Sequence, residues 1–209
     1  EFNYAAINNY GVTFAKGKYL LFLNNDTELI APNFIEELLG LCQRDDVGIA
    51  GAKLLYQDDT IQHAGVVVGF GGIAGYTFIG LHRAENSYFH RAMSTQDYSA
   101  VTAACMMSKK ALFEEVGGFS EELAVAFNDI DYCMKVQKAG KLVVYNPYAL
   151  LYHYESKSRG LEDTPEKVKR FNREVAIFIK KWPDIIVKGD PYYNPCLLYT
   201  SPSPRDGAT

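Results

Sequence analysis

The chain has 209 residues, 48% of them hydrophobic and 22% charged, proportions typical of a folded globular protein rather than a disordered one. Its formal net charge of −4, without a large lysine or arginine cluster, argues against a nucleic-acid-binding function. No apolar run approaches the roughly 20 residues that span a bilayer, so we expect membrane association only through segments outside this sequence.

The first part of the sequence alternates apolar runs with one helical pattern. Short apolar runs rich in β-branched and aromatic residues are typical of buried strands, and the first of them is predicted to be parallel to its neighbour. Apolar residues at helical spacing predict a helix. A glycine- and aromatic-rich stretch without a period indicates a long functional loop. The predicted elements are strands at 18–23, 47–56 and 61–68, a helix over 34–41 with Pro32 in its first turn, and a loop at 69–91.

The second part continues the alternation and ends in a long amphipathic helix. Glycines after two helical patterns predict their C-terminal ends, and a threonine followed by proline predicts an N-terminal cap. This order of elements predicts the α/β class with a mixed sheet. The predicted elements are a strand at 98–107, helices at 109–116 (ended by Gly117 and Gly118), 128–139 (closed by Gly140) and 164–182 (capped by Thr164, with Pro165 first), and strands at 142–145 and 149–152 separated by a turn at 146–147.

The cysteines and the two ends of the chain bear on its cellular context. The four cysteines lie far apart without a CxxC pair, which favours free, buried thiols in a reducing cytoplasm. The first residues lack the layout of a signal peptide. We interpret residues 1–195 as the folded domain. The Ser/Pro-rich segment 196–209 is predicted to be a disordered tail, and it resembles translated sequencing-adapter read-through.

A first polar cluster follows the apolar strand at 18–23. Open α/β sheets place ligands at the carboxyl ends of their strands. Asp26 offers a carboxylate for a divalent cation, and Asn24 offers an amide oxygen or a ribose contact. Taken alone, the cluster is better explained as an ordinary strand-to-helix turn, because asparagine and aspartate favour turns.

A second cluster lies at the start of the helix predicted over 128–139. Asp129 and Asp131 fall in the first turn, with Asn128 as the expected cap. A carboxylate held rigidly at a helix start can act as a general base. The alternative is structural, since acidic residues in a first turn are stabilised by the helix dipole.

A third cluster follows the strand predicted at 149–152. His153 offers an imidazole for a metal ion, and Lys157 and Arg159 offer positive charge for a diphosphate. A packed histidine beside a solvated basic loop is the competing interpretation.

One further motif predicts a different chemistry. Gly69, Gly71 and Ala74 satisfy GxGxxA after an apolar strand, as in a dinucleotide-binding fold. No helical pattern follows, and the acidic residue expected about 20 residues later is absent. We therefore interpret the match as chance, with an NAD-dependent oxidoreductase as a rival function.

The order of these clusters resembles glycosyltransferase family 2, and most closely its bacterial rhamnosyltransferase-like members, over residues 3 to 195. The resemblance implies the GT-A fold, in which a strand-helix-strand unit for the nucleotide base precedes the part seen here. We therefore expect the chain to be an N-terminally truncated fragment. The resemblance rests on the runs AKGKYLLFLNNDTEL, TAACMMSKKALFEEVGGFSEE and FNDIDYCMKVQKAG, followed by a strand ending in His153.

The resemblance also implies roles for individual residues. The Asp-x-Asp metal motif falls on positions 24–26, where Asn24 replaces the first acid. The Glu-Asp catalytic motif falls on 128–129, where Asn128 replaces the glutamate and Asp129 is kept as the general base. The implied set is Asp129 for catalysis, Asp26 and His153 for Mg²⁺ or Mn²⁺, Asn24, Asn25, Lys157 and Arg159 for the donor diphosphate, and Thr102, Ala103 and Asp131 for the acceptor side.

The implied reaction is an inverting transfer of a sugar from a nucleotide diphosphate to a hydroxyl of a glycan or lipid-linked acceptor. The resemblance also implies a role in the synthesis of cell-surface polysaccharide. The reaction itself is expected in the cytoplasm or at the inner face of the membrane. A non-catalytic carbohydrate-binding or scaffold domain is a second rival, favoured by the replacements at Asn24 and Asn128. The loop 69–91 is a candidate acceptor surface because aromatic faces stack on sugar rings, although anchoring of the loop explains its aromatic residues as well. The candidate aromatic side chains are Tyr76, Phe78, His82, Tyr88 and Phe89.

Overall fold

The computed structural model describes residues 2–69, 72–154 and 164–194. Within these residues no helix has both the length and the apolar character needed to cross a membrane. The helices are α1 (Tyr4–Val12), α2 (Phe34–Cys42), α3 (Lys110–Glu115), α4 (Asn128–Lys138), α5 (Pro165–Lys181) and α6 (Pro183–Lys188). The strands are β1 (Tyr19–Leu23), β2 (Thr27–Leu29), β3 (Val47–Leu55), β4 (Ile61–His63), β5 (Val66–Val68), β6 (Ala74–Tyr76), β7 (Gln96–Asp97), β8 (Cys105–Lys109) and β9 (Leu142–His153).

The main sheet is mixed, as the sequence predicts. Its strand order is β1-β8-β3-β9-β2, with β4 added to β3 and β7 to β9. Among the described strands of this sheet, β3 and β9 are the only parallel pair, and the other pairs are antiparallel. The prediction that the first strand is parallel was wrong, because β1 pairs antiparallel with β8. An apolar run shows that a strand is buried, whereas its direction depends on a partner more than 80 residues away.

Several predicted strands have different limits in the structure, including 98–107, of which only the last three residues belong to β8 (Cys105–Lys109). The stretch 61–68 divides into β4 and β5 at Gly65, whose φ of +99° and close contact with the Tyr98 ring exclude a side chain there. The strands predicted at 142–145 and 149–152 form the single strand β9. The turn predicted between them is an irregularity, in which Ala52 pairs with Asn146 and Lys53 with Leu150.

The helix ends largely follow the sequence signals. Thr164 caps α5 by accepting a hydrogen bond from the backbone N–H of Lys167, and Pro165 begins the helix. Gly117, Gly118 and Gly140 have positive φ after their helices, as expected. The predicted cap Asn128 was wrong, because Phe127, in a left-handed conformation, occupies that position and Asn128 begins α4. Pro32 precedes Asn33, the cap of α2, instead of lying in its first turn.

Helices cover both faces of the sheet. The buried side chains of α2 form one apolar cluster with β3, β8 and β9. Those of α1, α3 and α4 form the larger cluster on the opposite face, with Phe178 of α5. Cys42, Cys105 and Cys133 are buried and free, as expected, and Cys196 lies outside the described residues.

Asp131 on α4 is the centre of a buried ionic network. Its side chain has no exposed surface. One oxygen lies 2.9 Å from both Lys181 Nζ and Trp182 Nε1, and the other accepts from Ser120 Oγ at 2.7 Å. Lys135 Nζ is 3.2 Å away. Burial alone would raise the pKa of Asp131, but these cations and donors hold it below its ordinary value. The network therefore joins α4 to the end of α5.

We expect Asp131→Ala to lower the free energy of unfolding by about 3 kcal/mol, because it leaves cations beside a buried site without their counter-charge. Urea denaturation measures the change. The control is Asp184→Ala, which removes an exposed ion pair with Lys188 and should change stability by less than about 0.5 kcal/mol. Equal effects of the two substitutions would contradict the structural role of Asp131.

Candidate active site

The site is assembled where β1 ends, where β9 ends and where α4 begins. Thr27 of β2 pairs with His153 of β9, and Tyr154 N–H donates to the Asp26 carbonyl oxygen at 2.8 Å. The sheet therefore places the polar cluster after β1 directly beside the end of β9. Two of the three clusters in the sequence, 127 residues apart, meet in this way.

Asp26, His153 and Asn24 are in direct contact. His153 Nε2 lies 3.2 Å from Asp26 Oδ1 and 3.2 Å from Asn24 Nδ2. Asp26 Oδ1 is buried and has no hydrogen-bond partner. Thr27 Oγ1 donates to the Asn24 carbonyl oxygen at 2.8 Å, which fixes the turn after β1.

Gln62 determines which nitrogen of His153 carries the proton. Gln62 Nε2 donates to the His153 carbonyl oxygen at 3.2 Å, so the amide oxygen faces the ring. That oxygen lies 2.7 Å from Nδ1, which must therefore be the protonated nitrogen. In the neutral ring Nε2 then carries one lone pair, which accepts from the Asn24 amide, and this edge of the ring also faces Asp26 Oδ1.

These residues fit a divalent cation. Two acceptors only 3.2 Å apart repel unless a proton or a metal ion lies between them. Adjacent ligands of an octahedral ion, each at about 2.1 Å, are about 3 Å apart. Among the described residues no group of three or more His, Cys, Asp or Glu side chains is placed to hold a metal ion. Mg²⁺ sites commonly use one or two protein carboxylates completed by substrate phosphates and water, and Asp26 with His153 suits that type.

Asp129 lies in the first turn of α4 and is half-buried. Its Oδ2 accepts from Ala103 N–H at 3.2 Å, and its Oδ1 accepts from Ile130 N–H at 2.9 Å. Burial raises the pKa of Asp129, although these donors and Thr102 oppose the change. A carboxylate with a raised pKa that is held by two backbone donors is both rigid and basic, as a general base requires.

The segment 102–104 connects Asp129 to the Asp26 cluster. Ala103 N–H donates to Asp129, and the carbonyl oxygen of Ala104 accepts from Asn24 N–H at 2.9 Å. Two consecutive residues therefore hold both parts of the site. Because side chains at 102–104 are almost fully buried, this segment acts through its backbone.

His63 supports the same segment and was missed by the sequence analysis. Its Nε2 accepts from Thr102 N–H at 3.2 Å, and its Nδ1 donates to the Ala52 carbonyl oxygen at 3.0 Å. Burial lowers the pKa of His63 to about 4. The ring is therefore neutral and structural. Its only local signal was a histidine following glutamine in an apolar strand.

We expect His63 to make the protein less stable in acid. Above pH 6.5 the ring is neutral in both states, but between 6.5 and about 4 the unfolded chain binds the proton more readily. Stability should therefore fall by about 3 kcal/mol as the pH decreases through this window. His63→Gln should lose that slope in urea denaturation from pH 7 to 4, while the exposed His90→Asn should keep it. An unchanged slope in His63→Gln would contradict the assignment.

The other residues predicted for the site lie in different environments. Asn25 is exposed beside Asp26. Asp131 was expected on the acceptor side, but both its carboxylate oxygens are bound within the buried network. Thr102 and Ala103, also expected there, are buried. Lys157 and Arg159 lie outside the described residues.

The dinucleotide-binding alternative is contradicted by the structure. Ala74 begins β6, which returns antiparallel to β5 and pairs with Val68, so no helix follows the motif. Gly71 lies outside the described residues. The interpretation of the match as chance is therefore confirmed.

The aromatic side chains of the loop differ in exposure. Tyr76 packs edge-on against His63, with ring centroids 5.3 Å apart. Tyr88 and Phe89 are exposed, Phe89 by 78%, and contact each other with centroids 4.5 Å apart. Phe78, like Tyr76, is half-buried and packs against the larger apolar cluster. An acceptor-binding role for these side chains stays a prediction, and the exposed members of the set are Tyr88, Phe89 and His82.

The sequence matches known proteins over most of its length. Residues 4–176 match the family described as glycosyltransferase like family 2. The chain is 50% identical over 198 residues to the uncharacterized protein y4gI of Sinorhizobium fredii (strain NBRC 101917 / NGR234), covering 94% of this chain and 22% of that protein. It is 39% identical over 201 residues to the O-antigen biosynthesis protein RfbC of Myxococcus xanthus, covering 96% of this chain and 15% of that protein.

A more distant relative shares a shorter segment. The chain is 29% identical over 79 residues to N-acetylglucosaminyl-diphospho-decaprenol L-rhamnosyltransferase of Mycobacterium tuberculosis (strain ATCC 25618 / H37Rv), covering 38% of this chain and 25% of that protein. The chain thus spans a quarter or less of the length of each of these relatives.

Solved structures show the same fold. GalNAc-T7 with UDP, GalNAc and Mn²⁺ superposes with a TM-score of 0.61 at 14% identity, covering 88% of this chain and 36% of that one. The mannosyltransferase PcManGT from Pyrobaculum calidifontis, in complex with GDP-Man and Mn²⁺, superposes with a TM-score of 0.53 at 13% identity, covering 84% of this chain and 43% of that one. At these identities the likeness establishes the fold, which is of the GT-A type.

Proposed function

The chain belongs to glycosyltransferase like family 2, and from this premise we propose that it transfers a sugar from a nucleotide diphosphate to a hydroxyl acceptor. The observation that carries the proposal is the joint attachment of Asp129 and the Asp26 cluster to the segment 102–104. A basic carboxylate and a cation site are the two groups such a transfer needs. Solved neighbours with UDP or GDP-Man and Mn²⁺ support the kind of donor.

We propose that Asp129 accepts the proton of the attacking hydroxyl. The backbone donors of Ala103 and Ile130 fix the direction of its carboxylate, while burial keeps it basic. A single displacement at the anomeric carbon would then invert its configuration. The bond from the acceptor oxygen to that carbon forms as the bond to the diphosphate breaks, and the proton passes to Asp129.

Asp26 and His153 would hold a Mg²⁺ or Mn²⁺ ion. When bound, the ion neutralises charge on the departing diphosphate, a contribution of several kcal/mol. Asn24 replaces an acid here, and without an ion its amide donates to His153 Nε2, a contact that the ion would replace. In this proposal the residue substitution changes the charge of the site without removing its ligands. Asn25, Lys157 and Arg159 are proposed to contact the diphosphate.

The product is proposed to be a cell-surface polysaccharide built on a glycan or lipid-linked acceptor. The naming of relatives for O-antigen biosynthesis and for a decaprenol-linked rhamnosyl transfer supports this class. We propose that the reaction takes place in the cytoplasm or at the inner face of the membrane, where the buried free thiols stay reduced.

A donor screen tests the function. Because the chain spans a quarter or less of its relatives' length, the protein expressed from its full coding sequence is incubated with UDP-, GDP- and dTDP-sugars with and without Mn²⁺, and release of the nucleoside diphosphate is measured. We expect release that requires Mn²⁺, rises with a glycan acceptor and disappears with EDTA. Metal-dependent sugar binding without release from any donor would instead favour the non-catalytic carbohydrate-binding or scaffold alternative.

A further inference from the structure

The side chain of Gln62 is almost completely buried yet makes two hydrogen bonds to one residue. It is 2% exposed. Its oxygen accepts from His153 Nδ1–H at 2.7 Å, and its nitrogen donates to the His153 carbonyl oxygen at 3.2 Å. Both the ring and the backbone of His153 are thus held by one amide.

This double contact is selective for one tautomer of His153. If the amide were rotated to face Nδ1 with its nitrogen, its oxygen would meet the carbonyl oxygen of His153 and the two would repel. The backbone contact therefore fixes the direction of the ring contact, and the proton stays on Nδ1. Nε2 is then unprotonated at 3.2 Å from Asp26 Oδ1, which has no hydrogen-bond partner, and its one lone pair accepts only the Asn24 amide N–H, a contact that a cation would replace.

We propose that Gln62 is a positioning residue that keeps His153 ready to bind a divalent cation. A ligating histidine generally donates its other ring N–H to an acceptor, and loss of that acceptor costs about 10–100-fold in metal affinity. Without Gln62 the proton can move to Nε2 and be donated to Asp26. That internal hydrogen bond would occupy both ligands. The proposal deepens the function proposed above and rests on its cation site.

Two measurements test the proposal on the intact chain. Nitrogen-15 NMR at about pH 8, where an ordinary histidine is neutral, shows which ring nitrogen carries the proton. The signals are assigned by their loss in His153→Ala. Titration with Mn²⁺ alone, followed by electron paramagnetic resonance, gives the dissociation constant. Neither measurement requires a donor sugar or turnover.

The expected results distinguish positioning from packing. Gln62→Leu should move the proton of His153 from Nδ1 to Nε2 and weaken Mn²⁺ binding about 10–100-fold. Gln62→Glu keeps an acceptor at Nδ1 but loses the donor to the His153 carbonyl oxygen, so it should retain the tautomer and bind Mn²⁺ more tightly than Gln62→Leu. The matched control is Gln137→Leu, which removes an amide that donates to the Tyr98 and Ser99 carbonyl oxygens and should change neither readout.

The outcomes separate this proposal from the function it rests on. Unchanged tautomer and Mn²⁺ affinity in Gln62→Leu, or an equal loss in Gln137→Leu, would overturn the role of Gln62. A second outcome is that Gln62→Leu moves the proton from Nδ1 to Nε2 but the unsubstituted chain does not bind Mn²⁺. This outcome would support Gln62 as the residue that orients the ring. It would overturn the cation site of the proposed function.

Discussion

Replacing Asp129 by asparagine is expected to lower the turnover of sugar transfer by about 10²–10⁴-fold, the usual contribution of a general base. The amide oxygen of asparagine can still accept a backbone hydrogen bond, so the start of α4 should keep its shape. What is lost is the ability to take the hydroxyl proton. Turnover at saturating donor and acceptor measures the effect, and the dissociation constant of the donor should stay nearly constant.

The pH dependence of turnover provides a second test of Asp129. Because burial raises its pKa, the rate should fall with decreasing pH at values above the ordinary range of aspartate. The asparagine variant should lack this decline. The control is Asp190→Asn, which should keep the decline. Asp190 is also a buried carboxylate with a raised pKa that accepts from two backbone donors, Val68 and Tyr192. Full turnover in Asp129→Asn would remove Asp129 from catalysis.

The neighbouring Asp131 shows how far the sequence alone could separate function from structure. Both acids suit the first turn of a helix, and the helix dipole favours both. Residues two positions apart point about 200° apart around the helix axis, so they cannot face the same site. The structure turns Asp129 towards Ala103 and Asp131 towards Lys181.

Features determined by neighbouring residues were predictable, whereas long-range ones were not. Thr164 and Pro165 mark a helix start by their own chemistry, and Gly140 marks a helix end. The antiparallel direction of β1 depends on a distant strand. The roles of Gln62 and His63 depend on which segments the sheet brings opposite β4. No local pattern distinguishes such residues from others in an apolar strand.

The cation site was predictable only through the family resemblance. Asp26 alone fits an ordinary turn, and His153 alone fits a packed histidine. The order of the three clusters implied that both residues hold one ion, and the structure places Asp26 and His153 in contact. The lone pair of Nε2 and the unpartnered Oδ1 are properties of the assembled site, and neither could be inferred before β2 was seen to pair with β9.

Asp26→Asn is expected to lower metal-dependent turnover by about 10²-fold, because the site loses its carboxylate and with it about 3 kcal/mol of charge stabilisation. The same substitution should not weaken the fold. An amide at this position can turn an N–H towards His153 Nε2, which removes the repulsion between two acceptors 3.2 Å apart even though Nε2 already accepts from Asn24. Turnover across a Mn²⁺ titration and urea denaturation measure the two effects.

Opposite changes in activity and stability would identify Asp26 as a residue retained for function. The matched variant Asn24→Asp adds a second carboxylate beside His153 and should tighten Mn²⁺ binding while lowering stability, since it places more negative charge in the same cluster. If Asp26→Asn kept its full metal-dependent turnover, the cation would have to bind elsewhere. If the variant lost both turnover and stability, Asp26 would have a structural role. A residue retained only to bind an ion lowers the stability of the ion-free protein, so its replacement should not destabilise the fold.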